Sequence, residues 1–263
     1  MSLSLRPMKT PCTRVRALLP LFLTSLFFAC DAGPRDVRDY YFPARQLAET
    51  GMVYIYENTG SLPGPDQEFT YYLGVDQDSA LYLSVTQYDG SFSPRQQTRQ
   101  QIENDGVYLR DLVLLQTDSS GIAIPTKTEL LYAKVFPFYL EDVPTEASGY
   151  RLKFASPTDE MTTTYVSLNR TFRSDTTITV LGENYAALVF DLAGEVSERD
   201  TELGDISPQF TGFEIYAKGL GLVQYERVLS AGNTLGARLR ERVPMVDFLE
   251  RIKGQLDQNG QGD

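Results

Sequence analysis

An all-β, mainly antiparallel fold is what this sequence predicts, in the form of a large curved sheet, a half-barrel or a sandwich, with one short C-terminal helix. Three observations predict it. Short segments in which apolar and polar residues alternate follow one another, separated by turn residues at intervals of roughly 10 to 15 residues. Strand and helix patterns do not alternate, which disfavours a parallel sheet. The 263 residues include 16 Tyr and 14 Phe but no Trp, an aromatic content weighted to a half-polar ring that suits strands with one wet face.

The first element is not part of that fold. Arg6, Lys9, Arg14 and Arg16 precede an uncharged apolar run from Ala17 to Ala29, the order of charge and grease found in a secretory signal. The run is too short for a durable membrane span, which needs about 20 apolar residues. Residues 1–29 are therefore read as a signal peptide. The run ends in Phe27-Phe28-Ala29-Cys30 and is followed by the polar stretch from Asp31 to Asp39. A small residue followed by Cys at this place resembles the lipobox of bacterial lipoproteins. The resemblance implies cleavage between Ala29 and Cys30, with acyl chains such as palmitate on the Cys30 thiol. Cys12 lies within the signal and is no disulfide partner for Cys30. At about 0.8 kcal/mol per buried CH₂, one acyl chain binds a membrane only marginally, so stable anchoring takes at least two. The expected partner of Cys30 is thus a lipid bilayer and the expected location the bacterial cell envelope, with the folded part outside the cytoplasm. Asp31, next to the cysteine, leaves inner and outer membrane both open.

Without residues 1–29, 20 Lys and Arg remain against 35 Asp and Glu. So acidic a chain repels nucleic acid and anionic head groups, and no basic run offers a local exception. Residues 30–45, with Pro34 and Pro43 among mixed charges, read as a lipidated tether, and Tyr40-Tyr41-Phe42 as the point where the chain first docks on the core. Residues 46–254 are expected to form a β-rich domain. From Gly51 onward the expected strands are Met52–Tyr56, Phe69–Val75 and Leu81–Thr86, an antiparallel meander with turns at Asn58-Thr59-Gly60 and Asp76-Gln77-Asp78-Ser79. Ser93 to Asn104 is ambiguous: Ser93-Pro94-Arg95-Gln96 has a helix-capping look, yet only Ile102 could anchor a helix, so an exposed strand or loop is preferred. Val107–Thr117 and Glu129–Phe136 continue the pattern, divided by Asp118-Ser119-Ser120-Gly121.

Pro137 to Gly149, with Pro144, is the one mid-chain stretch that reads as a domain seam, so one domain and two halves both stay open. Beyond it come Tyr150–Ala155, Thr162–Phe172, Thr176–Leu181, Tyr185–Val196, Phe210–Lys218 and Gly221–Leu229. Ala193-Gly194 suggests a bulge or bend. Pro244 opens a helix whose apolar residues Met245, Phe248, Leu249 and Ile252 share one face. Residues 255–263 form a polar tail. From Phe213 to Arg227, Phe213, Ile215 and Ala217 alternate with Glu214, Tyr216 and Lys218, and Gly219 and Gly221 permit the tight reversal of a hairpin. The segment Tyr216-Ala-Lys-Gly-Leu-Gly-Leu-Val223 resembles a hairpin of uncharacterised secreted bacterial proteins, some of them similar in architecture to lipoprotein localisation factors. That resemblance implies a curved sheet around a greasy cavity.

Chemistry is hard to place. No histidine occurs, so the usual general base and the commonest zinc ligand are missing, and a Ser-His-Asp site is impossible. No catalytic, cofactor-binding or metal-binding residue is assigned, and no cofactor is expected. Asp76-Gln77-Asp78 resembles half of a calcium loop without its Gly and Glu, and reads as a turn. Glu141-Asp142 and Asp159-Glu160 are the only carboxylate doublets considered for a glycan hydrolase, but neighbours on a strand point to opposite faces, so neither doublet makes an acid and base pair. The favoured expectation is a binding or assembly module for an apolar small molecule or an envelope protein; the alternative is a carboxylate-dependent hydrolase acting on glycans.

Overall fold

The computed structural model describes residues 33–117, 122–140, 148–155, 162–200 and 204–259. Signal peptide, Cys30, both carboxylate doublets and the Asp118–Gly121 turn lie outside them. In chain order the elements are β1 (Arg35–Asp36), α1 (Ala44–Thr50), β2 (Met52–Asn58), β3 (Gln67–Gln77), β4 (Ala80–Tyr88), β5 (Pro94–Ile102), β6 (Gly106–Thr117), β7 (Ala123–Lys127), β8 (Glu129–Tyr132), β9 (Lys134–Pro137) and β10 (Tyr139–Leu140). They continue as β11 (Ser148–Ala155), β12 (Thr162–Val180), β13 (Glu183–Asp200), β14 (Gly204–Ile206), β15 (Gln209–Ala217), β16 (Gly221–Leu229), β17 (Thr234–Pro244) and α2 (Met245–Asn259).

One antiparallel sheet carries almost all of this, in the order β7-β6-β5-β4-β3-β2-β17-β16-β15-β13-β12-β11-β8. Its two outermost strands, β7 and β8, are separated in sequence by Thr128 alone, and β9 then returns to pair with β6 through Gly106 and Pro137. The sheet is thereby curled almost shut, which leaves little exposed edge. Of the architectures expected, the structure is the barrel-like one and not a sandwich.

Alternation then assigns each strand an inner and an outer face. Tyr54 and Tyr56 of β2, Tyr72 of β3, Leu83 and Val85 of β4, Leu188 and Phe190 of β13 and Val223 of β16 belong to one buried lumen cluster. Val53, Ile55, Phe69 and Val243 form a second cluster outside the sheet. The helix α2 covers it, with Phe248 against Phe69 and Phe92 at ring centroid distances of 5.4 and 5.7 Å. Met245, Phe248 and Ile252 make that contact as the helical spacing predicts. Leu249, expected on the same face, is exposed instead, because a helix lying on a single twisted sheet needs only a narrow stripe. The helix also runs on to Asn259, through much of the expected polar tail.

The chain packs earlier than the expected tether allows. Val37, Tyr41 and Phe42 are buried, Arg35 forms a two-pronged ion pair with Asp175 at 2.5 and 2.7 Å, and Phe42 stacks on Tyr72 at 4.2 Å. The helix α1 enters behind them and crosses β3 at Gly74, where a Cβ would sit 1.9 Å from the Ala44 carbonyl oxygen. Residues 35–50 therefore plug one end of the barrel. The same end holds the β15–β16 turn, where Gly219 (φ 77°) and Gly221 (φ 86°) adopt the left-handed backbone predicted for them and Gly219 N–H donates to the Asp39 carbonyl.

Four strand expectations need correction. Glu129–Phe136 is two strands, β8 pairing with β11 and β9 with β6, with Ala133 between them. Thr162–Phe172 and Thr176–Leu181 are one strand, β12, interrupted only by a register shift between Phe172 and Ser174. Ala193-Gly194 is neither bulged nor bent: both residues pair in register, and the glycine leaves room for the Phe210 ring, whose tip a Cβ would meet at 2.2 Å. The strand β17 was not expected at all.

Candidate functional site

The plugged end is apolar; the other end is not. Between the two, the lumen changes from Phe and Leu to Tyr, Gln, Thr, Glu and Arg. Here β2, β3, β15, β16 and β11 bring Tyr56, Thr70, Tyr72, Glu214, Tyr225, Arg227 and Tyr150 around a cavity of about 520 Å³. Its mouth is framed by residues 62–65 after β2, by Asp89 after β4 and by Leu235 at the start of β17. Cavities of roughly 300–1,000 Å³ are the size that holds small ligands.

Asp89 orders one lip. Its Oδ1 accepts from the Ser91 amide (2.9 Å), the Ser91 hydroxyl (2.7 Å) and the Ser93 amide (2.9 Å), and its Oδ2 from Arg95 Nε (2.7 Å). Burial would raise this carboxyl, but these donors together bring it down to about 2.

The floor is built on a buried ion pair. Arg170 of β12 donates to Glu214 of β15 through Nε (2.6 Å) and Nη2 (3.2 Å), and the Tyr216 hydroxyl donates to the same carboxylate at 2.9 Å. Arg170 is 9% exposed and Glu214 2%, so neither charge is shared with bulk water. Burial alone would raise the Glu214 carboxyl, yet the Arg170 charge and hydrogen bonds, helped by Arg227 and Tyr216, hold it below its ordinary value. The same burial pushes the hydroxyls of Tyr41, Tyr56, Tyr72 and Tyr216 upward. They remain neutral donors, and most are committed to protein acceptors: Tyr41 to Gln100, Tyr56 to the Leu222 carbonyl (2.9 Å) and Tyr216 to Glu214; Tyr225 likewise donates to Glu68 (2.9 Å).

Other groups in the wall are not committed. The Arg227 guanidinium lies 5.5 Å from the Tyr225 ring centre and 5.7 Å from that of Phe210, while its buried Nε meets no hydrogen-bond acceptor. Among the described residues, Thr70, Gln87 and Gln96 have no side-chain hydrogen bond, and Glu68 accepts only from Tyr225.

None of these residues carries a functional signal in the sequence. Glu214 and Tyr216 were expected on the face opposite Phe213 and Ile215, and they are; the signal missed is that this polar face points inward, opposite Phe190 and Leu188 of β13. Asp76-Gln77-Asp78 falls at the hairpin between β3 and β4, with Asp78 and Ser79 in the left-handed region, at the end of β3 away from the cavity.

Neither a family model nor a curated protein matches the chain. Two solved structures do. One is a candidate lipoprotein from Parabacteroides distasonis, with a TM-score of 0.50 and 13% identity over 78% of this chain and 98% of that one. The other is a candidate exported protein with a YmcC-like fold from Bacteroides fragilis, with a TM-score of 0.48 and 10% identity over 77% of this chain and 98% of that one. The fold is shared with the first. At such identity the likeness extends to the fold alone.

Proposed function

We propose that this protein is an extracytoplasmic lipoprotein, anchored through acylated Cys30, whose barrel lumen binds a small ligand entering by the mouth at Leu62–Pro65, Asp89 and Leu235. The observation that carries the reading is the cavity itself, into whose wall the buried Thr70 hydroxyl and the buried Arg227 Nε come without a hydrogen-bond acceptor or donor from the protein, beside the half-buried Glu68 and Gln96; a lumen with only a structural task is filled or internally paired. The similar fold of a candidate lipoprotein and the signal-like start of the chain support the envelope address. The lining argues for a ligand with polar groups over the purely apolar one expected from sequence. Hydrolysis is less well supported: Glu214 is held ionised by Arg170, the opposite of what a general acid needs.

Chain connectivity adds an orientation. Arg35, five positions after Cys30, is fixed at the plugged end, near the β12–β13 and β15–β16 turns. A five-residue leash reaches roughly 17 Å at about 3.3 Å per residue, whereas β3 alone, with 11 residues, is roughly 36 Å long. Anchoring at Cys30 then keeps the mouth away from the bilayer, so the ligand comes from the aqueous side.

Native mass spectrometry of the full chain extracted from its own envelope in mild detergent tests both parts. The expected spectrum shows acyl mass at Cys30 and a retained small molecule that is lost in Leu235→Trp, which narrows the mouth without touching the core. An unmodified Cys30 refutes the address. A ligand-free wild type whose thermal stability no small-molecule fraction of that envelope raises refutes the binding role.

A further inference from the structure

Resting on that reading, we infer that the ligand of the cavity is a saccharide. The wall carries unpaired groups of opposite kinds. Arg227 can only donate, the second carboxylate oxygen of Glu68 can only accept, and Thr70, Gln87 and Gln96 can do both. All five line the same space. A simple anion would meet Arg227 but face Glu68 and Glu214; a simple cation would meet the carboxylates but face Arg227. An apolar molecule would seal off the Thr70 hydroxyl and Arg227 Nε with no partner and cut the half-buried Glu68 and Gln96 off from water. A hydroxyl donates and accepts, so a ring bearing several satisfies both kinds at once. Planar guanidinium, carboxylate and amide groups also match pairs of neighbouring hydroxyls, each with two atoms side by side.

The aromatic part of the wall points the same way. The hydroxyls of Tyr56 and Tyr225 are spent on the Leu222 carbonyl and on Glu68, which fixes both rings and leaves their apolar surface for the ligand. A pyranose has one face of C–H groups and an equator of hydroxyls. Rings of Tyr56, Tyr72, Tyr150 and Tyr225 interleaved with polar side chains suit that amphipathic shape better than a uniformly greasy or uniformly charged one.

The test uses the full acylated chain in detergent micelles on a printed array of glucans, galactans, uronates and N-acetylhexosamine oligomers, followed by titration calorimetry on any hit. The expected result is binding to at least one class, weakened about tenfold, or about 1.4 kcal/mol, by Arg227→Gln and by Gln96→Ala. Gln96 sits at the mouth outside the buried ion pair, so its variant keeps the test valid should the first fail to fold. Silence across the array overturns the saccharide assignment, as does binding that neither variant weakens. If the array is silent while native mass spectrometry still shows a retained amino acid, phosphate compound or fatty acid, the ligand class falls and the cavity's binding role stands. If nothing is retained either, both fall.

Discussion

Replacing Arg170 by Met isolates what the buried ion pair does. Methionine keeps most of the volume on β12 but removes the charge, leaving Glu214, 2% exposed, with the Tyr216 hydroxyl as its remaining close partner and Arg227 beyond it. Breaking one side of a buried pair costs about 3–5 kcal/mol, because the carboxylate left behind has lost both water and counter-charge. At about 2–4 °C per kcal/mol for a domain of this size, Tm at pH 7 should fall by roughly 6–20 °C. The pH dependence identifies the cause. In the native protein the Glu214 carboxyl lies below its ordinary value of 4.5, so its contribution is present above that pH and is lost as pH falls through the depressed value. In the variant, burial without Arg170 pushes the carboxyl above its unfolded value. Its penalty is then absent below about pH 4.5 and grows as pH rises, so the gap between wild type and variant should narrow in acid. Arg170→Met combined with Glu214→Gln removes the stranded charge while leaving Tyr216 an amide oxygen to bond, and should recover most of the loss. Thermal and urea unfolding followed by circular dichroism from pH 4 to 8 measure all three. A loss under about 1 kcal/mol, or one that does not change with pH, would show that the pair is not the buried, mutually dependent unit described.

Other consequences follow from packing and from the mouth. Gly74→Ala drives a methyl into the Ala44 carbonyl and should cost about 1–3 kcal/mol by overpacking, with hydrogen exchange rising first in α1; Gly182→Ala meets no neighbour and should lose only about 1–2 kcal/mol for its positive φ of 82°. Phe248→Ala empties the contact with Phe69 and Phe92 and should cost about 3–5 kcal/mol, with faster exchange in α2 and little change inside the lumen. Asp89→Ala removes four hydrogen bonds from one lip, so amide exchange at Ser91 and Ser93 should rise while global stability stays nearly constant. Because that carboxyl is depressed to about 2, the wild-type lip should loosen in the same way only as pH falls from about 3.8 toward 2.

Much of the fold was legible because its signal is local. Alternation in β2, β3 and β4 and the glycines of the β15–β16 turn are properties of neighbouring residues, and they appear where expected. What was hidden depends on closure. In an open sheet the apolar face is buried and the polar face wet, but a barrel buries its inner face whatever that face carries. Glu214 and Tyr216 therefore read as solvent-facing until the partner strand places them opposite Phe190 and Leu188. For the same reason β5, with Gln96, Thr98 and Gln100 inward, reads only as an exposed strand or loop: the strand is there, but its polar face lines the lumen. In β17 the alternation is broken by a register shift between Leu239 and Glu241, and Arg242 faces the lumen over the Tyr54 ring at 4.8 Å, so no period-two pattern survives. Arg170 and Glu214 lie 44 positions apart on strands separated by β13, a distance over which spacing alone carries no information. Tyr41 and Phe42 dock where the aromatic triplet Tyr40-Tyr41-Phe42 predicts, whereas the earlier contacts of Arg35 and Val37 carry no signal, because both residues stand among charges.

The most direct test of a ligand-receptive lumen is the electron density of the full acylated protein, purified from its own envelope without a denaturing step and crystallised. An ordered molecule between Tyr225, Arg227 and Glu68, with the Arg170–Glu214 pair intact beneath it, is the predicted result. A closed interior in which Arg227 has turned onto Glu68 or Glu214 and the space between the tyrosines has collapsed would contradict it.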